Sequence, residues 1–290
     1  MNSSSLDLHP LLSLALLLLG LGVLLFAGAP FLARHLLFLP PGIDPGEPPT
    51  LAGVAGEEAW IETEDGVEIH GWWYPLPRVS DGEGGPVVVA LHGNAGSIAG
   101  RTMLARAYLG EGISVLLLSY RGYGRSDGRP SFEGVERDAA AGIAFAAARA
   151  GGADRVVLHG RSLGGTVGLS ALRRVSDPPA AFILESSFTS LAEVGRAVYP
   201  FLPSPVFARL RGHLDAREGL RGFDGPVLVV HGTADRIIPP SMSEALHETA
   251  RDSRGLWMVE GAGHNDLEIV AGEEYGRRLT EFVNAVTSGR

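Results

Sequence analysis

Five short runs in this chain are apolar almost throughout: PVVVAL at 86–91, ISVLLL at 113–118, RVVL at 155–158, AFIL at 181–184 and VLVV at 227–230. A weaker example, LWMV, occupies 256–259. A strand with one face in water alternates polar and apolar residues. A strand without that alternation is buried on both faces, and the arrangement that buries both is a parallel sheet covered by helices. The intervening segments supply such helices, with helical patterns at 134–150, 163–175, 241–251 and 273–286. Upstream, the strand-like segments 59–63 and 67–74 flank Asp65-Gly66, a strong hairpin signal. The expected fold class is therefore α/β: a mostly parallel twisted sheet with helices on both faces and an antiparallel N-terminal edge.

In sheets of this kind, chemistry collects beyond the carboxyl ends of the strands. Most of the apolar runs here lead into glycine accompanied by a polar group: HGNAG at 92–96, SYRGYGRS at 119–126, HGRSLGG at 159–165, HGTAD at 231–235 and, after the last run, GAGH at 261–264. Gly160-Arg161-Ser162-Leu163-Gly164 matches G-x-S-x-G, a strand-to-helix turn so tight that a Cβ two residues to either side of the serine would clash. Such a turn lifts the serine oxygen out of the sheet, above the free N–H groups of the following helix.

A serine hydroxyl needs a base to act as a nucleophile. The order of such residues along the chain is Ser, then Asp or Glu, then His. Asp235, directly after VLVV-HGTA, is the candidate acid, and His264 the candidate base. Glu185 also comes directly after an apolar run, as a rival acid or as a strand-end cap. Asp266 shares a loop with His264, which makes it a poor orienting partner. His92, His159 and His231 read as structural. Two backbone N–H groups are expected to form an oxyanion hole: that of Leu163, and one from the loop after PVVVAL, assigned to Asn94 with Ala95 as the near alternative.

Composition removes competing chemistries. Without cysteine there is no disulfide, thiolate zinc site or cysteine nucleophile. All 24 basic residues are arginine, which excludes a lysine Schiff base and a Ser–Lys dyad. A net charge of −9 speaks against nucleic acid as a partner. No metal or cofactor is called for.

The N-terminus differs in kind. Residues 11–29 carry no charge, and a helix of that length nearly spans the ~30 Å hydrocarbon core of a bilayer. Met1 to Pro10 lacks the basic residues of a secretory signal, and the apolar run is long for one, so an uncleaved anchor is preferred over a cleaved leader that Ala27-Gly28-Ala29 would also suit. The expected organisation is a membrane anchor at 1–37, a Pro/Gly-rich linker at 38–56 and a catalytic domain at 57–290, with the lipid bilayer as the anchor's partner. Arg34 favours a cytoplasmic catalytic domain under the positive-inside tendency.

Together HGNAG, YRGYGRS, GRSLGG, HGTAD and GAGH resemble the α/β-hydrolase superfamily over about residues 57–287. They look like a branch of small, N-terminally anchored serine hydrolases that includes protein depalmitoylases. That resemblance implies an α/β-hydrolase fold preceded by one transmembrane helix, catalysis by Ser162, Asp235 and His264, and an oxyanion hole at Asn94 and Leu163. It also implies a lumenal or exported domain, against the Arg34 tendency, and the side stays open. Ser119 departs from the branch, which often has Asp before YRG. Residues 186–223 are too short for a full cap domain and suggest a minimal lid at about 188–222: one helix, a Pro-rich turn and a second short amphipathic stretch. Tyr199, Phe201, Leu202 and Phe207 are placed either in an apolar acyl pocket or over the sheet edge as plain core. The expected function is hydrolysis of carboxylic esters or thioesters of small-molecule or acyl-chain substrates. A serine peptidase of the same fold and a catalytically silent interaction protein are the alternatives.

Overall fold

The computed structural model describes residues 8–76 and 84–288. Residues 1–7, the start of the expected anchor, and 289–290 lie outside the described residues. The Asp65-Gly66 turn, with Gly66 at φ 74°, joins β1 (Glu57–Glu62) to β2 (Glu68–Tyr74) as an antiparallel hairpin. Each apolar run then becomes a strand: β3 (Val87–Leu91), β4 (Ser114–Leu118), β5 (Val156–Arg161), β6 (Ala181–Glu185), β7 (Pro226–Gly232) and β8 (Asp252–Val259). They form one sheet in the order β1-β2-β4-β3-β5-β6-β7-β8. β2 runs antiparallel to both β1 and β4, and every pairing from β4 to β8 is parallel.

The helices, in chain order, are α1 (Leu8–Leu37), α2 (Thr102–Gly110), α3 (Phe132–Ala150), α4 (Leu163–Ser170), α5 (Leu191–Val198), α6 (Ser204–Ala208), α7 (Ala216–Gly222), α8 (Pro240–Thr249), α9 (Leu267–Ala271) and α10 (Glu273–Thr287). The two faces of the sheet explain the unbroken apolar runs. Val87, Val89 and Leu91 of β3 enter one core with α3, α4, α7 and α8, while Val88 and Ala90 enter the other with α2 and α10. Leu116 and Leu118 part from Val115 and Leu117 in the same way, as do Phe182 and Leu184 from Ala181 and Ile183. Each fully buried Val, Leu or Ile contributes about 1.5–3 kcal/mol relative to exposure.

Three local expectations need correction. The helix expected over 163–175 stops as an α-helix at Ser170 and tightens into the 3-10 turn Ala171–Arg174. That turn carries Arg173 and Arg174 onto the buried Glu136 of α3. The 188–222 stretch expected as a lid holds three short helices, α5, α6 and α7, and α2 was not anticipated at all. The 38–56 segment has no helix or extended strand, yet it is not a free spacer. Leu51 is buried, Leu39 bridges Ala95, and Arg125 holds Asp44 and Glu58.

The YRG sequence after β4 has a structural role. The Arg121 guanidinium is buried, donating from Nε to Asp138 Oδ1 at 2.9 Å and from Nη1 to Asp65 Oδ2 at 2.8 Å. It thus ties the hairpin turn to α3, whose N-terminus is capped by Ser131 Oγ accepting the Gly134 N–H. The neighbouring Ser119 is a packing position, fully buried, with its N–H bonded to the His70 carbonyl at 2.9 Å. Removing one partner of a buried ion pair costs about 3–5 kcal/mol, because the other charge stays buried and uncompensated. Arg121→Met should therefore lower the chemical-denaturation free energy by about that amount. A change below ~1 kcal/mol would refute the role given to this pair.

Candidate active site

The turn from β5 into α4 is strained by construction. Ser162 sits at φ 54°, ψ −117°, outside the regions open to most L-residues, at a cost of order 1–3 kcal/mol. Its N–H is held by the Glu185 carbonyl at 2.7 Å. The flanking glycines are required by contact. A Cβ on Gly160 would lie 2.3 Å from Gly165 Cα, and one on Gly164 would lie 2.1 Å from the Leu91 carbonyl oxygen of β3. The second clash is with the neighbouring strand, so Gly164 makes room for β3.

Three carboxyl-edge loops meet at Ser162. His264, in the loop after β8, places Nε2 3.1 Å from Ser162 Oγ. Its Nδ1 lies 2.7 Å from Asp235 Oδ2, in the loop after β7. The other Asp235 oxygen accepts the N–H groups of Ile237 and Ile238 at 2.8 and 2.9 Å. Burial alone would raise the Asp235 carboxyl. Hydrogen bonds from His231, His264 and the Ile238 amide overcome that and hold it well below the usual carboxylate range, so it is ionised. Ser162 and the His264 side chain keep slight exposure while the Asp235 side chain has none. A hydroxyl, an imidazole and a carboxylate thus form one hydrogen-bonded chain open to substrate at the serine end.

Glu185 does not join it. It lies beneath the turn, paired with His159 at 3.1 Å and Arg161 at 3.0 Å and bonded by the Tyr275 hydroxyl. Asp266 accepts the Gly263 N–H at 2.7 Å and shapes its own loop. His92 is buried against Tyr120 and Tyr123, and burial brings its imidazole down to about 4, so it is neutral. It braces the loop bearing Gly93, Asn94 and Ala95, all of which border the same cavity as Ser162. Leu163 opens α4, so its N–H has no acceptor within the helix.

The cavity encloses about 370 Å³, within the range of small-molecule sites. Tyr199, Leu202 and Phe207 line it with Val194 and Leu210. Phe201 does not. It is 79% exposed, because the turn closed by the Leu202 N–H to the Tyr199 carbonyl spends its inward positions on those two residues. None of the described residues lining the cavity is acidic; its charged members are Arg101 and Arg161, beside His264.

Two contributors were missed in the sequence. His231 Nε2 lies 3.1 Å from Asp235 Oδ2 and its Nδ1 meets Ser243, so it supports the carboxylate as well as its own loop. Arg161 occupies a free position of G-x-S-x-G, where the motif carries no signal. Its guanidinium donates to the His264 carbonyl at 3.2 Å and pairs with Glu185, joining the serine turn to the histidine loop.

The chain is similar to known proteins. The profile of the serine aminopeptidase S33 family (Hydrolase_4) matches residues 83–214. The chain is 38% identical over 258 residues to uncharacterized protein Rv2307c of Mycobacterium tuberculosis, covering 88% of each. It is 29% identical to the alpha/beta hydrolase domain-containing protein WAV2 of Arabidopsis thaliana, covering 91% of this chain and 92% of that one. It is 31% identical to the lysophosphatidylserine lipase ABHD12 of Danio rerio, covering 68% of this chain and 59% of that one. Among solved structures, the Pyrococcus furiosus esterase Pf2001 superposes with a TM-score of 0.67 at 20% identity, covering 87% of this chain and 99% of that one.

The contact at Gly164 gives a direct check on the turn. Gly164→Ala should cost about 1–3 kcal/mol of overpacking and lower the melting midpoint by several degrees. Gly100→Ala, where an added Cβ meets nothing within 4 Å, should stay within about 0.5 kcal/mol of wild type. Equal midpoints for the two variants would show that β3 does not press on the turn as described.

Proposed function

The chain belongs to the α/β-hydrolase superfamily as an esterase-type serine hydrolase, and from that premise we propose that it is a membrane-anchored enzyme cleaving carboxylic esters or thioesters through Ser162, His264 and Asp235. The observation that carries the proposal is the unbroken chain Ser162 Oγ–His264 Nε2 and His264 Nδ1–Asp235 Oδ2 at the mouth of an apolar cavity.

In this scheme His264 Nε2 takes the Oγ proton as Ser162 attacks the acyl carbon. The carbonyl π pair moves onto oxygen, where the N–H groups of Leu163 and Asn94 receive the oxyanion. Collapse expels the alcohol or thiol, which leaves with the proton from His264, and an acyl-serine remains. Water then repeats the sequence and releases the acid. Asp235 stays ionised throughout, holding the imidazole tautomer and stabilising the imidazolium. Each oxyanion donor is worth roughly 10²–10³ in turnover.

The description of the S33 family keeps amide cleavage in view. An aminopeptidase has to hold a substrate ammonium, which calls for a carboxylate, and the described cavity lining offers arginines instead. That charge balance favours esters. The anchor is supported by α1, an N-terminal helix long and apolar enough to cross a bilayer, within which residues 11–29 carry no charge.

A fluorophosphonate probe should label wild type and fail on Ser162→Ala, and labelling of both would reject Ser162 as the nucleophile. Asp235→Asn should keep the fold while ester turnover drops about 10⁴-fold, as expected for a wrong imidazole tautomer. In a separate test, the protein should remain with membranes after an alkaline carbonate wash and dissolve only in detergent. Release by carbonate would remove the anchor from the proposal.

A further inference from the structure

The far wall of the cavity is built by the N-terminal helix. Ala29, Leu32, Ala33, Leu36 and Leu37 of α1 border the same space as Ser162 and His264, with α1 adjoining the lid helix α6. Their spacing, i, i+3, i+4, i+7 and i+8, is one stripe along one helix face.

The length of α1 gives this stripe a place. Thirty residues make a helix of about 45 Å, some 15 Å more than the hydrocarbon core of a bilayer. The surplus of about ten residues matches the stretch that lines the cavity. Pro30, which has no N–H to give to the helix ladder, stands where the two parts meet. Before it, Leu16, Leu17, Leu19, Leu21, Val23 and Leu24 are exposed. Around it, one side of the helix meets the catalytic domain: Ala29 is buried, Leu25, Ala33 and Leu37 pack against the core, and Phe38, just past the helix end, has its ring 6.0 Å from that of Phe132, while Phe31, Leu32 and Leu36 keep their exposure. Just ahead of the proline, the Arg209 guanidinium lies 5.4 Å over the Phe26 ring.

The end of α1 is also joined to the loop facing the serine. The Leu39 N–H is shared between the Asn94 carbonyl and the Tyr123 hydroxyl, each at 3.0 Å, and that hydroxyl donates to the Asn94 carbonyl at 2.7 Å. Leu32 and Leu36 are 43% and 48% exposed while bordering the cavity, so they stand at its rim. An ester whose acyl carbon lies at Ser162 has to send its hydrocarbon into the apolar part of this space, which the lid helices and α1 both border.

Resting on the ester-hydrolase and anchor readings above, we propose that α1 is part of the substrate site: its last two turns form the acyl-chain wall, and the substrate is a long-chain acyl ester or thioester resident in the bilayer, whose chain lies along this helix. Leu32 and Leu36 set the acyl length accepted.

The test uses the full chain in detergent micelles, with rates normalised to sites labelled by a small fluorophosphonate. The readout is the ratio of kcat/KM for p-nitrophenyl dodecanoate to that for p-nitrophenyl butyrate. Leu36→Trp, which fills the wall, should lower the ratio at least tenfold, and Leu36→Ala should raise it. Leu17→Trp, on the exposed part of α1, should leave activity and ratio as in wild type. If Leu36→Trp fails to fold, Leu36→Ala decides alone. A ratio within twofold of wild type in the folded Leu36 variants would overturn the role of α1 while leaving the esterase reading standing. A wild type that hydrolyses neither ester would overturn that reading, and this inference with it.

Discussion

The site depends on how closely one strand-to-helix turn approaches its neighbours. Ser162 is held in a left-handed backbone conformation that the chain would not adopt alone. It is held there from three sides. The Glu185 carbonyl takes its N–H, the Leu91 carbonyl of β3 leaves room only for glycine at 164, and Gly165 lies against Gly160 from the helix side. The strain is local, and the stabilisation opposing it is spread over a sheet buried on both faces. The parallel sheet thus both carries the serine and supplies the rigidity that keeps its oxygen outside the core.

Beneath the turn lies a second constraint, electrostatic in kind. Glu185 is fully buried and would be driven toward its neutral form there, but Arg161, His159 and Tyr275 pull its carboxyl well below the usual range. The same Arg161 bonds to the His264 backbone, so the charge balance of the core fixes the position of the base. Asp235 is treated alike, with two backbone amides on one oxygen and two imidazoles on the other. Both carboxylates are buried, both are ionised, and each orients a neighbour. Only Asp235 touches the imidazole beside Ser162.

Much of this was legible in the sequence because it rests on local rules. A run without polar alternation states double burial, and the glycines of GRSLGG state a close backbone approach. The ends of β5 and β7 had to carry Ser162 and Asp235, since those loops continue directly from their strands. What escaped depends on contacts between distant segments. The His264 carbonyl that Arg161 bonds lies 103 residues away, and no motif links the two. His231 precedes a glycine just as His92 does, yet only His231 meets the carboxylate, because the loop after β7 folds back on the strand's own end. The lid was misjudged for a related reason. Its helices are short, and tertiary contacts rather than their own propensity hold them. Phe201 shows the limit most plainly: it has the composition of a pocket residue and the wrong side of a turn.

The 38–56 segment was misjudged in its mechanics rather than its composition. Pro and Gly make it irregular, as expected, but a tether is free only where nothing along it is worth burying. Leu51 and Phe38 are buried, and Arg125 gathers Asp44 and Glu47 from the segment onto the domain. Ordering such a chain costs roughly 1–2 kcal/mol per residue in backbone entropy, so the contacts have to repay it along its whole length. The consequence is geometric. A long flexible tether would let the catalytic domain face any direction above a membrane, with its cavity in water. A docked segment of this length fixes the cavity beside the helix that precedes it, and the orientation of the site becomes a property of the fold.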